Sequence, residues 1–220
     1  MKTKKLLILL GMGLSLITTN SIANEDIKAI DIMKKVDARD DGDSIEEDMQ
    51  MVLIDKNQKE KRRDIKLYSK DFGEDEYRIM FFKSPSNIKN TSYLIYDYDD
   101  SQKDNDRWLY LPALKKIKRI PSTDQSSSFM GSDFSYFDMS DRDLENYDFK
   151  LLKEIEVNGQ SAWVIESTPR SQKVIDESNY ERSILIVRKD NFVVIRAINF
   201  LTNGKVKYME VKELHEENGI

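Results

Sequence analysis

The chain has 220 residues, 35 Lys and Arg against 40 Asp and Glu, 39% hydrophobic residues, no Cys and a single His. Without Cys there is no disulfide, no thiolate metal site and no cysteine nucleophile, and with His215 as the single His most histidine-based catalysis and metal binding is out. A formal net charge of −5 argues against a nucleic-acid partner, since binding phosphate backbones needs clustered Lys and Arg that displace counterions.

The N-terminus carries Lys2, Lys4 and Lys5, then an apolar run from Leu6 to Ile17, polar Thr18, Thr19 and Asn20, and Ser21-Ile22-Ala23. A basic start, a short apolar core and small residues at the −3 and −1 positions predict a cleavable signal peptide over 1–23, with Asn24 as the mature N-terminus. The run falls short of the ~20 residues a bilayer span needs. The expectation is a soluble, exported, periplasmic protein with one domain over 24–220. Because no Cys follows the expected signal, no lipid anchor is expected.

Residues 25–36 read as an amphipathic helix with Ile27, Ile30, Met33 and Val36 at helical spacing. After an acidic loop at 37–44, alternation at 45–54 places Met49, Met51 and Leu53 on one strand face, and 63–70 returns with Ile65 and Leu67 inward. Further strands are expected at 76–83, 92–98, 107–111, 115–120, 149–157, 161–168, 180–189, 192–200 and 204–213. A helical stretch is expected around 134–147. Asn158-Gly159 and Asn203-Gly204 are hairpin turns. Hairpins in sequence order predict a mainly β protein, a single antiparallel sheet curled into an open or closed barrel with few helices to cover it.

The segment 75–137 carries a resemblance. It contains Tyr77-Arg78-Ile79-Met80-Phe81-Phe82-Lys83-Ser84-Pro85, then Trp108-Leu109-Tyr110-Leu111-Pro112-Ala113-Leu114 and Phe129-Met130-Gly131-Ser132-Asp133-Phe134. Together with Val36-Asp37-Ala38-Arg39-Asp40-Asp41-Gly42-Asp43 upstream, it resembles the outer-membrane lipoprotein-sorting proteins, the LolA-like periplasmic family often encoded beside resistance-nodulation-division-type exporters. One departure is Lys89-Asn90-Thr91, where relatives often have Gly before Thr. The resemblance implies an unclosed antiparallel half-barrel of LolA/LppX type with a few covering helices and an apolar cavity. It also implies carriage of lipid or acylated protein cargo, with an inner-membrane exporter as a partner.

Other motifs give less. Asp37 to Asp48 has acids and Gly42 at calcium-loop places, but Arg39 and Ile45 occupy ligand positions and Asp48 stands where a bidentate Glu is needed. An acidic turn is the simpler reading, and no metal or cofactor is expected. The run Ser122-Thr123-Asp124-Gln125-Ser126-Ser127-Ser128 offers hydroxyls without a base, so no enzyme activity is expected and a lid ending in Phe129-Met130-Gly131 is. Lys115, Lys116, Lys118 and Arg119 form a basic strip suited to docking an acidic partner or anionic lipid head groups. Met49, Met51, Met80, Met130 and Met139 give an adaptable apolar lining. The expected ligand-binding set is Met49, Met51, Ile65, Leu67, Ile79, Phe81, Trp108 and Tyr110 on one sheet face, with Phe129 and Met130 at the mouth. A periplasmic carrier leads, and a non-transporting accessory or sensor module using the same face is the alternative.

Overall fold

The computed structural model describes residues 20–39, 42–100 and 103–214. Residues 1–19 of the expected signal, Asp40 and Asp41 of the acidic loop, and His215 lie outside the described residues. The cleavage point after Ala23 falls within the first helix, whose side chains are described from Lys28 onward.

That helix, α1 (Asn20–Asp37), buries Ala29, Ile32 and Met33, with Ile30 and Val36 packed at the margin. The buried face is therefore turned slightly from the Ile30–Met33 line the apolar spacing suggests. Lys34 and Lys35 occupy the last turn, where cations complement the helix C-terminus.

Eleven strands follow among the described residues: β1 (Ser44–Ile54), β2 (Glu60–Phe72), β3 (Asp75–Phe82), β4 (Ser92–Asp97), β5 (Asp106–Leu111), β6 (Lys116–Arg119), β7 (Tyr147–Val157), β8 (Gln160–Pro169), β9 (Tyr180–Arg188), β10 (Val194–Leu201) and β11 (Val206–Glu210). Each pairs antiparallel with its sequence neighbour inside its sheet, as hairpin order requires. The expected turn at Asn158-Gly159 forms with both residues left-handed (φ 52 and 80), the type I′ geometry that matches strand twist. Asn90, standing where relatives often carry Gly, takes φ 65, so Asn supplies there the left-handed backbone that Gly adopts freely.

The strands do not make one continuous sheet. β1 to β6 form a six-stranded sheet and β7 to β11 a five-stranded one, and neither closes into a barrel. The reason lies in residues 121–146, which hold the expected helix of 134–147 but form four short 3₁₀ turns instead. Their side chains bind their own backbone: Ser128 Oγ donates to Ser132 O, Ser132 Oγ to Phe129 O, and Asp138 and Asp143 accept from the Ser135 and Glu145 amides. Such local bonds compete with both helix and ladder.

A second helix, α2 (Gln172–Ser178), lies where no element was expected. Ser171 caps it by accepting from the Val174 amide, and Asn179 ends it at φ 62. Each sheet has its own core. α1 and α2 pack with Tyr147, Phe149, Ile165, Leu185 and Val187 on the five-stranded sheet, whereas the six-stranded sheet is covered by residues 120–139.

Candidate functional site: an apolar sheet face under a polar strap

The covered face of the six-stranded sheet follows from strand register. Met49 pairs with Ile65, Ile65 with Phe82, Leu67 with Met80, Met80 with Tyr93 and Tyr93 with Leu109. Side chains opposite one another share a face, so β1 to β5 lay down one apolar floor. Ile65, Leu67, Met80, Phe82, Tyr93, Ile95 and Leu109 are buried.

The floor is covered by a strap, residues 120–143. Phe129 is fully buried at its centre, with ring centroids 5.1 Å from Tyr93, 5.5 Å from Tyr136 and 6.2 Å from Phe82. The loop is closed tightly around it: the Phe129 amide donates to Phe134 O at 2.7 Å, and Arg63 donates to Met130 O at 2.6 Å. Met130 and Gly131 both sit at positive φ (52 and 75), which makes the sharp reversal.

Polar bonds fasten the strap to both sheets. On the six-stranded side, Asp141 reaches Arg78 at 2.6 Å, and Ser140 Oγ accepts from Arg107 at 2.8 and 3.1 Å. On the five-stranded side, Asp138 accepts from the Lys207 ammonium at 2.8 Å and the Tyr180 hydroxyl at 2.7 Å. Arg142 donates to Ser183 and Asn199 at 3.4 and 3.3 Å.

Arg78 also holds Glu76 (2.9 Å) and Asp97 (3.1 Å). Burial pushes both carboxyls above their ordinary range, and Asp141 adds to the push on each, while Arg78 opposes it. Burial acts the same way on Asp138, but there Lys207, the Ser135 amide and Tyr180 outweigh it and hold the carboxyl below its ordinary range. Where the strap meets the five-stranded sheet, a polar cleft of about 230 Å³ opens, lined by Ser126, Ser128, Ser135, Tyr180 and Lys207 among others.

The ten expected ligand-binding residues divide between two faces. Met51, Ile65 and Leu67 lie in the covered core, Met49 shares their side of the sheet by register but is itself exposed, Phe129 is the strap's buried plug, and Met130 sits beside it against the same core. Ile79, Phe81, Trp108 and Tyr110 alternate with the buried Met80, Phe82, Arg107 and Leu109, and so project from the opposite, open face. The reason is specific: Arg107 takes the inward position because Ser140 and the Asn105 carbonyl satisfy its guanidinium, while apolarity alone favours Trp108. On the open face Phe72, Tyr77, Tyr96 and Trp108 form an aromatic row with successive centroid separations of 4.7, 4.2 and 5.1 Å. The groups that fasten the strap, and that sequence reasoning missed, are Arg78, Arg107, Asp138, Arg142 and Lys207. Only an Arg alternating among apolar strand residues, at 78 and 107, offered a signal.

Comparison with known proteins agrees with this architecture. A family model described only as "uncharacterized protein" matches residues 74–220. A protein domain from Vibrio parahaemolyticus named for outer-membrane lipoprotein sorting is 30% identical, with 82% of this chain and 75% of that one aligned at a TM-score of 0.74. A DUF1329 family protein from Desulfovibrio piger is also 30% identical, over 89% and 82% of the two chains, with a TM-score of 0.82. A LolA superfamily protein from Nitrosomonas europaea, 18% identical over 87% and 80%, shares the fold at a TM-score of 0.64. No functionally curated protein gives a significant match. The fold is that of the LolA superfamily, and the chain belongs to the outer-membrane lipoprotein-sorting protein family.

Proposed function

We propose that the protein carries a lipid or a lipid-modified protein across the periplasm, and that it works with an inner-membrane resistance-nodulation-division-type exporter. The observation that carries the reading is the cover of the six-stranded sheet. An apolar floor spanning five strands is closed by a strap of short 3₁₀ turns whose anchors to the sheets are largely polar. An acyl chain can replace Phe129 and Tyr136 on that floor while the strap moves as a unit. Each methylene withdrawn from water contributes ~0.8 kcal/mol, so eight contribute about 6 kcal/mol before the cost of moving the strap.

The flexible methionines at the margin of the floor, Met51, Met130 and Met139, suit chains of varied shape. Ser128 and Ser132 spend their hydroxyls on backbone carbonyls, which supports binding over catalysis. The family's name and the signal-like N-terminus support an exported carrier.

A fluorescent fatty-acyl probe tests the reading, with mass spectrometry of lipid extracted from the natively purified protein identifying the cargo. The probe should bind wild type and Ile79→Glu, which changes only the open face, but not Met51→Glu. A folded Met51→Glu that binds as well as wild type defeats the carrier model.

A further inference from the structure

We propose that the tip of the β5–β6 hairpin is a docking finger for an anionic lipid surface. This goes beyond carriage and does not depend on it, because the tip lies outside the covered face. Residues 107–123 hold five basic groups and no carboxylate, in a chain where acids outnumber bases.

The fold sharpens that run into a point. Leu111 ends β5, a 3₁₀ turn over Pro112–Leu114 follows, and Lys115 at φ 50 turns the chain into β6. Leu114 and Ile117 are thereby 62% and 70% exposed, more bare aliphatic surface than a contact made by charge alone uses. Tyr110 pairs with Ile117 across the hairpin, so both stand on the open face beside Trp108. α1 and α2 pack elsewhere, leaving that face without a helix among the described residues.

The four basic residues of the strip are not equivalent. Arg119 is committed to Asp106 at 2.5 Å, and Lys118 approaches Asp124 at 3.9 Å. Lys115 and Lys116 are exposed and enter no ion pair among the described residues, so the uncompensated charge sits at the tip, next to Leu114 and Ile117. Two aliphatic side chains flanked by two free ammonium groups, with Tyr and Trp just behind, match the layers of a lipid interface. The aliphatic groups enter the acyl boundary, the ammonium groups meet lipid phosphates, and the aromatic rings lie at head-group level.

Vesicle co-sedimentation with the purified protein tests this. Wild type should bind vesicles of phosphatidylcholine with about a third phosphatidylglycerol, bind pure phosphatidylcholine far less, and be released at about 0.5 M NaCl. Lys115→Gln with Lys116→Gln should weaken binding about thirtyfold, since each basic group at an anionic surface is worth roughly fivefold. Leu114→Ser with Ile117→Ser should also weaken it, while Lys89→Gln should not, with circular dichroism confirming that every variant folds. Absence of vesicle binding, the outcome expected if the tip serves an acidic protein, overturns the proposal. So does equal binding by wild type and both tip variants.

Discussion

Asp138 shows how one side chain can hold a segment in place. Its carboxylate has almost no solvent contact and accepts from Lys207, Tyr180 and the Ser135 amide and hydroxyl, so it joins the strap to β9 and β11. Removing one partner of a buried pair leaves the other charge uncompensated, which costs about 3–5 kcal/mol. Asp138→Ala should lose stability on that scale in urea denaturation at neutral pH. Because its carboxyl is held below the usual range, its contribution is complete above the ordinary Asp value of 3.8 and is lost as pH falls through the depressed one. Glu76 and Asp97 behave in the opposite sense. Their raised values mean that the folded state takes up protons before the unfolded chain does, so they stabilise on acidification toward 4.5 and 3.8. The melting temperature of wild type should therefore rise on mild acidification and fall only on stronger acidification. In Asp138→Ala the late fall should be reduced while the early rise persists. A profile whose late fall is the same in both proteins refutes this role for Asp138.

At the scale of elements, alternation and turn chemistry made the strands legible, and buried polar groups made the faces illegible. β1 and β2 alternate cleanly, so Met49, Met51, Ile65 and Leu67 could be oriented from sequence. In β3 both faces are apolar, and in β5 the larger hydrophobe, Trp108, lies opposite the buried Arg107, so a rule built on apolarity chose the wrong face. The capped helix α2 carried a readable sign in Ser171 and Asn179, but its seven residues are too few for periodicity to show. The strap was legible as a serine-rich cover and illegible as 3₁₀ turns, since its anchors come from strands distant in sequence. The face assignment yields an unusual ranking of substitutions. Arg107→Ala removes a buried guanidinium bound to Ser140 and the Asn105 carbonyl, and should cost about 3 kcal/mol. Tyr110→Ala, on the open face, should cost about 1 kcal/mol or less despite the larger apolar area. Thermal or urea melts giving the reverse order would place Tyr110 in the core and undo the face assignment.

Across the whole molecule, two sheets with separate cores are connected through a strap that belongs to neither. The five-stranded core has α1 across it and central strands β8 and β9 paired on both sides. The strap has one fully buried apolar side chain, Phe129, a partly independent set of backbone bonds, and side-chain anchors to each sheet. Segments with few buried apolar groups open at lower free energy than core strands. Hydrogen exchange should therefore find the Tyr136 and Phe137 amides, bonded to Ser127 O and Gln125 O, less protected than the amides of Ile165, Leu185 and Val187. Phe129→Ala removes the plug, a change that in a packed core costs about 3–5 kcal/mol. It should lower protection across residues 125–139 while leaving β8 and β9 nearly unchanged, and the exposed floor should then take up a fatty-acyl probe faster than in wild type. Saturating probe should strip the remaining protection from the strap alone. If strap and core strands instead exchange with a single opening free energy, with and without probe, the cover does not move independently of the sheets and acyl cargo has no route to the floor beneath it.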